Sequence, residues 1–124
     1  VMYAIENHLG GEIFIPKIPS YRILDVAEAI APNSKIKDVG IRPGEKLHEE
    51  MITDTDSLNT IDLGKYYAIL PSISLVYLEQ EFMDHHNGVK VPFGFRYNSA
   101  ENSEWETVDS IREKIKKYIN PNFT

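Results

Sequence analysis

Proline and glycine punctuate this chain, and the segments they bracket read as short helices and strands joined by turns. Gly10-Gly11 stops a first helical stretch, residues 1–9, in which Met2, Ile5 and Leu9 recur at helical spacing. A short strand is expected over residues 12–15, after which Pro16 and Pro19 hold Lys17-Ile18 in an extended loop. Ser20 reads as the N-cap of a helix with Ile23, Val26, Ala27 and Ile30 on one face, ended by Pro32-Asn33-Ser34. Residues 35–41 alternate and predict a strand running into a turn at Pro43-Gly44. Residues 46–52 fit a helical turn or a short edge strand, and 53–57 a polar loop.

Two β-leaning segments, 58–63 and 66–70, flank Gly64, and one of Tyr66 and Tyr67 is expected in the core. Residues 74–86 fit a helix with Leu75, Leu78 and Phe82 apolar, followed by a turn at Asn87-Gly88. Residues 89–97 are β-prone but broken by Pro92 and Gly94, and 99–106 are polar and irregular. The last helix is the plainest element. Thr107 caps it, Val108, Ile111, Ile115, Tyr118 and Ile119 form its stripe, and Arg112, Lys114, Lys116 and Lys117 complement its dipole before Asn120-Pro121 ends it. These elements predict a small α/β domain, α+β-like in order, spanning residues 1–124 as one unit.

With 124 residues the chain can bury a modest core. A formal net charge of −6 argues against nucleic acid or an anionic membrane as the main partner. With no cysteine, neither disulfide nor thiolate chemistry is available, which is compatible with the cytoplasm. No apolar run approaches the ~18–20 residues of a membrane span. The chain begins at Val1 and reads as a piece of something longer.

The block Gly40-Ile41-Arg42-Pro43-Gly44-Glu45-Lys46-Leu47-His48-Glu49-Glu50 carries the chemistry. A Pro-Gly turn lets the Arg42 guanidinium and the Glu45 carboxylate address one ligand. Arginine's planar fork suits a diphosphate, and a carboxylate suits ribose hydroxyls. Together they read as one end of a nucleotide-sugar site, against the alternative of a surface salt bridge at a tight turn. Lys46 is a further candidate for charge near phosphate, and Lys17 and Tyr21 flank a loop able to close over a sugar nucleotide. His48 with Glu49 and Glu50, and His85-His86 beside Asp84, are read as solvated groups, because adjacent side chains diverge and no second ligand pair accompanies them. Trp105 is read as a packing anchor.

Three stretches carry a family resemblance: Gly11-Glu12-Ile13-Phe14-Ile15-Pro16-Lys17-Ile18-Pro19-Ser20, the block from Gly40 through Ile52, and Asp62-Leu63-Gly64-Lys65-Tyr66-Tyr67-Ala68-Ile69-Leu70-Pro71. They resemble the C-terminal part of the inverting UDP-N-acetylglucosamine 4,6-dehydratases. These are extended short-chain dehydrogenase/reductases that open the pseudaminic acid route to flagellin and surface glycans. The resemblance implies a lyase acting on UDP-N-acetylglucosamine with NADP as hydride carrier. It implies that Arg42 meets the diphosphate and Glu45 the ribose.

The sequence departs from that family in one decisive way. Its glycines, at 10, 11, 40, 44, 64, 88 and 94, offer no Gly-x-x-Gly-x-x-Gly cradle, and no tyrosine is followed four residues later by lysine. The resemblance therefore implies a substrate-side portion lacking the Rossmann half. No catalytic, cofactor-binding or metal-binding residue is expected in it, no NADP is expected on this chain alone, and the isolated chain is expected to be inactive. Expected partners are UDP or UDP-N-acetylglucosamine, the N-terminal Rossmann portion, and further copies of the chain through apolar surface left bare. Rival readings are a capsule-pathway dehydratase/epimerase portion and a non-catalytic UDP-sugar-binding or assembly module.

Overall fold

The computed structural model describes residues 1–72 and 76–123. They form two compact units, the first from residues 1–17 and 50–98 and the second from 18–49 and 99–124. As expected, helix and strand are mixed.

In the first unit, helix α1 (Met2–Asn7) precedes strand β1 (Ile13–Pro16). A 3-10 turn (Asp56–Asn59) runs into β3 (Thr60–Asp62), then β4 (Tyr66–Ile69), helix α3 (Val76–His86) and β5 (Val89–Lys90). These strands make an antiparallel sheet in the order β1-β4-β3-β5. Strand β2 (Glu50–Ile52) pairs separately with β6 (Tyr97–Asn98), across a register shift. Of the two options for residues 46–52, the edge strand forms.

Alternation along β4 sorts the sheet into two faces. Ala68 and Leu70 point to the core that Ile61 and Phe82 complete, with Phe14, Leu63 and Met83 against it. A fully buried side chain of Phe82's kind contributes ~1.5–3 kcal/mol of transfer free energy. Neither Tyr66 nor Tyr67 reaches the core as expected; both are half-buried, and the strand's buried position is Ala68. Tyr66 stacks on Tyr3 at 4.1 Å, tying α1 to the sheet. Tyr67, on the other face, touches Phe95 and Tyr97 at 5.1 and 5.3 Å. The turn at Asn87-Gly88 forms, with Asn87 at φ 51°. A Cβ on Gly88 would collide with Ile61 Cγ2 and lie 2.8 Å from Leu63 Cδ2, so the backbone passes there only without a side chain. Leu75 of the expected helix lies outside the described residues.

The second unit pairs α2 (Ile23–Ile30) with α4 (Val108–Tyr118). Thr107 caps α4 as expected: its hydroxyl accepts the Ser110 N–H at 3.2 Å, and the Ser110 hydroxyl accepts the Thr107 N–H at 2.9 Å. Arg112 Nη1 donates to the buried Ala29 carbonyl at 2.8 Å, across 83 residues of sequence.

Three expectations fail here. Ser20 does not cap α2; Arg22 holds that position without a side-chain hydrogen bond. The Ser20 backbone is instead committed to residues 104–106, donating to Glu104 O at 2.8 Å and accepting from Glu106 N–H at 2.7 Å. Residues 35–41 form no strand: among the described residues no segment pairs with them, and the Gly40 N–H turns back to Asp38 Oδ1 at 2.7 Å. The helix stripes are also narrower than their spacing suggests. Ile23 and Ile30 on α2, and Tyr118 and Ile119 at the end of α4, are exposed, and Ala29 is the buried residue of α2.

Candidate functional site

Arg42-Pro43-Gly44-Glu45 forms a closed turn in the second unit. The Glu45 N–H donates to Arg42 O at 3.0 Å, proline sits at the second position and Gly44 takes φ 87° at the third, which is the type II pattern. Gly44 is required here because an L side chain rarely adopts that φ. The turn brings the expected pair together: Arg42 Nε donates to Glu45 Oε1 at 2.8 Å, and the Arg42 backbone N–H donates to Glu45 Oε2 at 2.8 Å. The Arg42 side chain is 81% exposed and that of Glu45 42%. An ion pair this exposed contributes ~0–1 kcal/mol, so the turn is held by its backbone rather than by the charges. Among the described residues the Arg42 Nη atoms make no hydrogen bond, which leaves both terminal nitrogens open on an 81% exposed side chain.

The other sequence candidates are placed differently. Lys46 and Tyr21 are exposed. Lys17, in the first unit, is already occupied: its Nζ bonds Asp62 Oδ1 at 2.6 Å and lies 4.3 Å from the Tyr67 ring centroid. Asp62 Oδ1 also accepts the Gly64 N–H at 2.8 Å. Burial pushes the Tyr67 hydroxyl above its usual range, and the Lys17 charge pulls it partly back. Nothing local in the sequence announced this cluster, since Lys17 and Asp62 lie 45 residues apart.

A groove of about 430 Å³ in the second unit escaped the sequence reading. Arg22, Asp25, Trp105, Glu106, Thr107 and Asp109 line it. The Arg22 guanidinium lies 5.6 Å from the Trp105 ring, and Trp105 Nε1 donates to Asn102 O at 2.8 Å; the residue is 42% exposed, so it lines the groove rather than serving as the packing anchor expected. Glu106 is held below the usual carboxylate range, chiefly by Lys114 and then by the Ser110 hydroxyl. Ser20 and Trp105 are joined by an isolated bridge between distant parts of the sequence, which no sequence spacing reveals.

His86 is the other unusual group. Its Nε2 is buried without a hydrogen-bond partner, between the Phe14 and Phe82 rings. Burial lowers its pKa below 6.5, the His85 charge adds to this, and a hydrogen bond with the Asn7 backbone and the Glu12 charge oppose it.

Among the described residues no three His, Asp or Glu side chains group to hold a metal, and no helix is long and apolar enough to cross a membrane. A dinucleotide pyrophosphate needs a parallel strand, a glycine loop and a helix in succession. The ladders of the four-stranded sheet are all antiparallel, so these residues do not fit that group and no hydride step is assigned to them.

Known proteins resemble this chain closely. Two inverting UDP-N-acetylglucosamine 4,6-dehydratases from Campylobacter jejuni strains are 50% and 47% identical over 93% of the chain. A UDP-glucose 4-epimerase from Rickettsia canadensis is 37% identical over 56% of it and 21% of its own length. The crystal structure of Pen from Bacillus thuringiensis superposes with a TM-score of 0.72 at 26% identity, covering 94% of this chain and 34% of that one. The chain spans about a third (35%) of the length of the Campylobacter relatives. The model of the polysaccharide biosynthesis protein family matches residues 1–71, more than half of the sequence, and the chain belongs to that family.

Proposed function

We propose that this chain is the UDP-binding, substrate-side portion of an NADP-dependent UDP-N-acetylglucosamine 4,6-dehydratase of the inverting kind. Residues 1–124 would serve as one C-terminal domain of a longer cytoplasmic enzyme in nucleotide-sugar and surface-glycan synthesis, and pseudaminic acid is the product line we favour. The observation that carries this is the Arg42–Glu45 turn, exposed and with both terminal guanidinium nitrogens unspent, in a chain half identical to enzymes of that name. NADP, bound by the other portion, would supply the hydride acceptor. The residues here bind and orient: a fixed diphosphate anchors the nucleotide, and that remote binding energy holds the sugar for reaction elsewhere.

Calorimetric titration with UDP tests the site. Arg42→Ala is expected to weaken binding by ~1.5–3 kcal/mol, the range for a charge-assisted hydrogen bond. Failure of the unaltered protein to bind UDP at millimolar concentration would sink the proposal. Turnover of UDP-N-acetylglucosamine by the purified chain with added NADP would sink the assignment of redox chemistry to another portion.

A second reading, a UDP-sugar-binding or assembly module without catalysis, is favoured by the antiparallel sheet, which offers a dinucleotide no cradle. A capsule-pathway dehydratase/epimerase differs from the first reading only in product. Exposed Ile36, Val39, Ile41 and Leu47 support contact with the remainder of the enzyme or with further copies of the chain.

A further inference from the structure

The turn that ends α3 is built from the dipeptide Asn87-Gly88, which carries a chemistry of its own. Asn87 is exposed and stands at φ 51°, the left-handed position that follows a helix, and the Gly88 N–H donates back to Met83 O at 2.9 Å. That closure is the Schellman cap, and it occupies the hydrogen on the Gly88 nitrogen. The same nitrogen is the nucleophile that can close a succinimide ring on the side-chain amide of Asn87. Glycine is the least hindered residue to follow an asparagine in this reaction, and its backbone rotates most freely into the attacking geometry.

The cap decides when the ring can close. While the Gly88 hydrogen is held by Met83 O, attack on Asn87 Cγ must first take that bond apart, which opens the last turn of α3. One residue earlier, His86 Nε2 is buried and makes no hydrogen bond among the described residues, so opening hydrates a polar group that the closed turn leaves unmet. Return is demanding of space. A Cβ on Gly88 would collide with Ile61 Cγ2 and lie 2.8 Å from Leu63 Cδ2, so the main chain is hemmed in where it passes the sheet.

We propose that Asn87 is a self-modification site gated by the end of α3: it deamidates only from the opened turn, and its isoaspartate product is barred from re-forming the cap. The Gly88 nitrogen bonds to Asn87 Cγ, the Cγ–Nδ2 bond breaks, and Nδ2 leaves as ammonia with the Gly88 proton. Water then opens the imide, and nothing is oxidised or reduced. Hydrolysis at Cγ gives aspartate. Hydrolysis at the main-chain carbonyl gives isoaspartate, whose main chain runs through Cβ and Cγ. The added main-chain carbon displaces Gly88 against Ile61 and Leu63, and the new carboxylate stands at a helix C-terminus, where the peptide dipoles disfavour negative charge. A reversible opening becomes a lasting one.

The experiment ages the protein at neutral pH without urea, in urea below the unfolding midpoint and in urea above it. Peptide mapping by mass spectrometry follows conversion at Asn87, and isoaspartyl methyltransferase labelling separates isoaspartate from aspartate. Above the midpoint Asn87 is expected to react faster than Asn33, Asn98 and Asn102, each of which precedes a serine. Without urea its conversion should be slower by roughly a hundredfold or more, because the rate then follows the population of the opened turn. Below the midpoint the rate should rise less steeply with urea than the unfolded fraction does, since opening one turn exposes less surface than unfolding the chain. Chains carrying isoaspartate should unfold at lower urea than unaltered ones, whereas Asn87→Asp, which has the charge without the added carbon, should keep most of its stability. Similar rates with and without urea would overturn the gating, and so would a rate that tracks the unfolded fraction. No conversion above the midpoint would overturn the site itself, and isoaspartate chains as stable as unaltered ones would overturn the barred return.

Discussion

The sheet around Phe82 and the stretch from residue 32 to 50 draw on the same kinds of apolar residue and end in opposite states. Ile61 and Phe82 are 0% and 2% exposed, whereas Val39 and Leu47 are 80% and 78% exposed. Hydrophobicity therefore does not decide the difference; backbone pairing does. Residues 60–62 find β4 on one side and β5 on the other, so their side chains are carried into a closed core. Residues 35–41 alternate just as well but pair with no strand among the described residues, and an alternating segment without a ladder has no reason to stay extended and buried. One region gains stability from the contrast, and the other keeps its side chains and its Arg42 fork available.

The contrast can be broken at its strongest point by truncating the core. Phe82→Ala should cost ~3–5 kcal/mol in urea unfolding followed by circular dichroism, while Val39→Ala should stay within ~0.5 kcal/mol. Equal losses at the two sites would erase the distinction. Gly88→Ala is the converse insult, an added methyl with nowhere to go, and should cost ~1–3 kcal/mol in the same assay. Thr107→Ala, which removes the α4 cap from the second unit, should cost ~1 kcal/mol, and Ser substituted at that position should retain most of the stability.

Acid offers a gentler probe of the sheet side. His86 has a folded pKa below its unfolded value, so the unfolded chain takes up the proton first. Stability is then full above the unfolded value of 6.5 and falls as pH drops through the range below it, levelling off once the folded form is also protonated. His86→Phe should flatten this slope in unfolding curves between neutral and mildly acid pH; an unchanged slope would assign it to other groups. The smallest expected change is on the exposed side. Val39→Ser with Leu47→Ser should leave the unfolding free energy within ~0.5 kcal/mol but reduce self-association in sedimentation, and unchanged sedimentation would show that this apolar surface is not sticky.

Much of the fold was legible where the signal was local. The Thr107 cap and the turn at Asn87-Gly88 depend on residues near one another and formed as read, and the strand read over 66–70 formed as Tyr66–Ile69. Ser20 misled because capping residues also make good long-range partners, and its backbone was taken by residues 104–106. Lys17 is engaged at long range too, its Nζ on Asp62 45 residues away, a contact that no local spacing encodes. Of the candidate site, the turn was readable because Pro43 and Gly44 encode it. The way Glu45 grips Arg42 was not, since residue types fix which groups are present but not which edge of a guanidinium is held.

Among the described residues, the hydrogen bonds that shape Arg42-Pro43-Gly44-Glu45 lie within four consecutive residues. Closing so short a loop takes well under a microsecond, on the scale of ~10–100 ns for ten residues, so the turn needs no finished core to exist. Such a device is portable. A synthetic peptide or an unrelated loop carrying these residues would already sample the same shape. What the scaffold adds is an address: it decides which molecule the preformed grip is held out to.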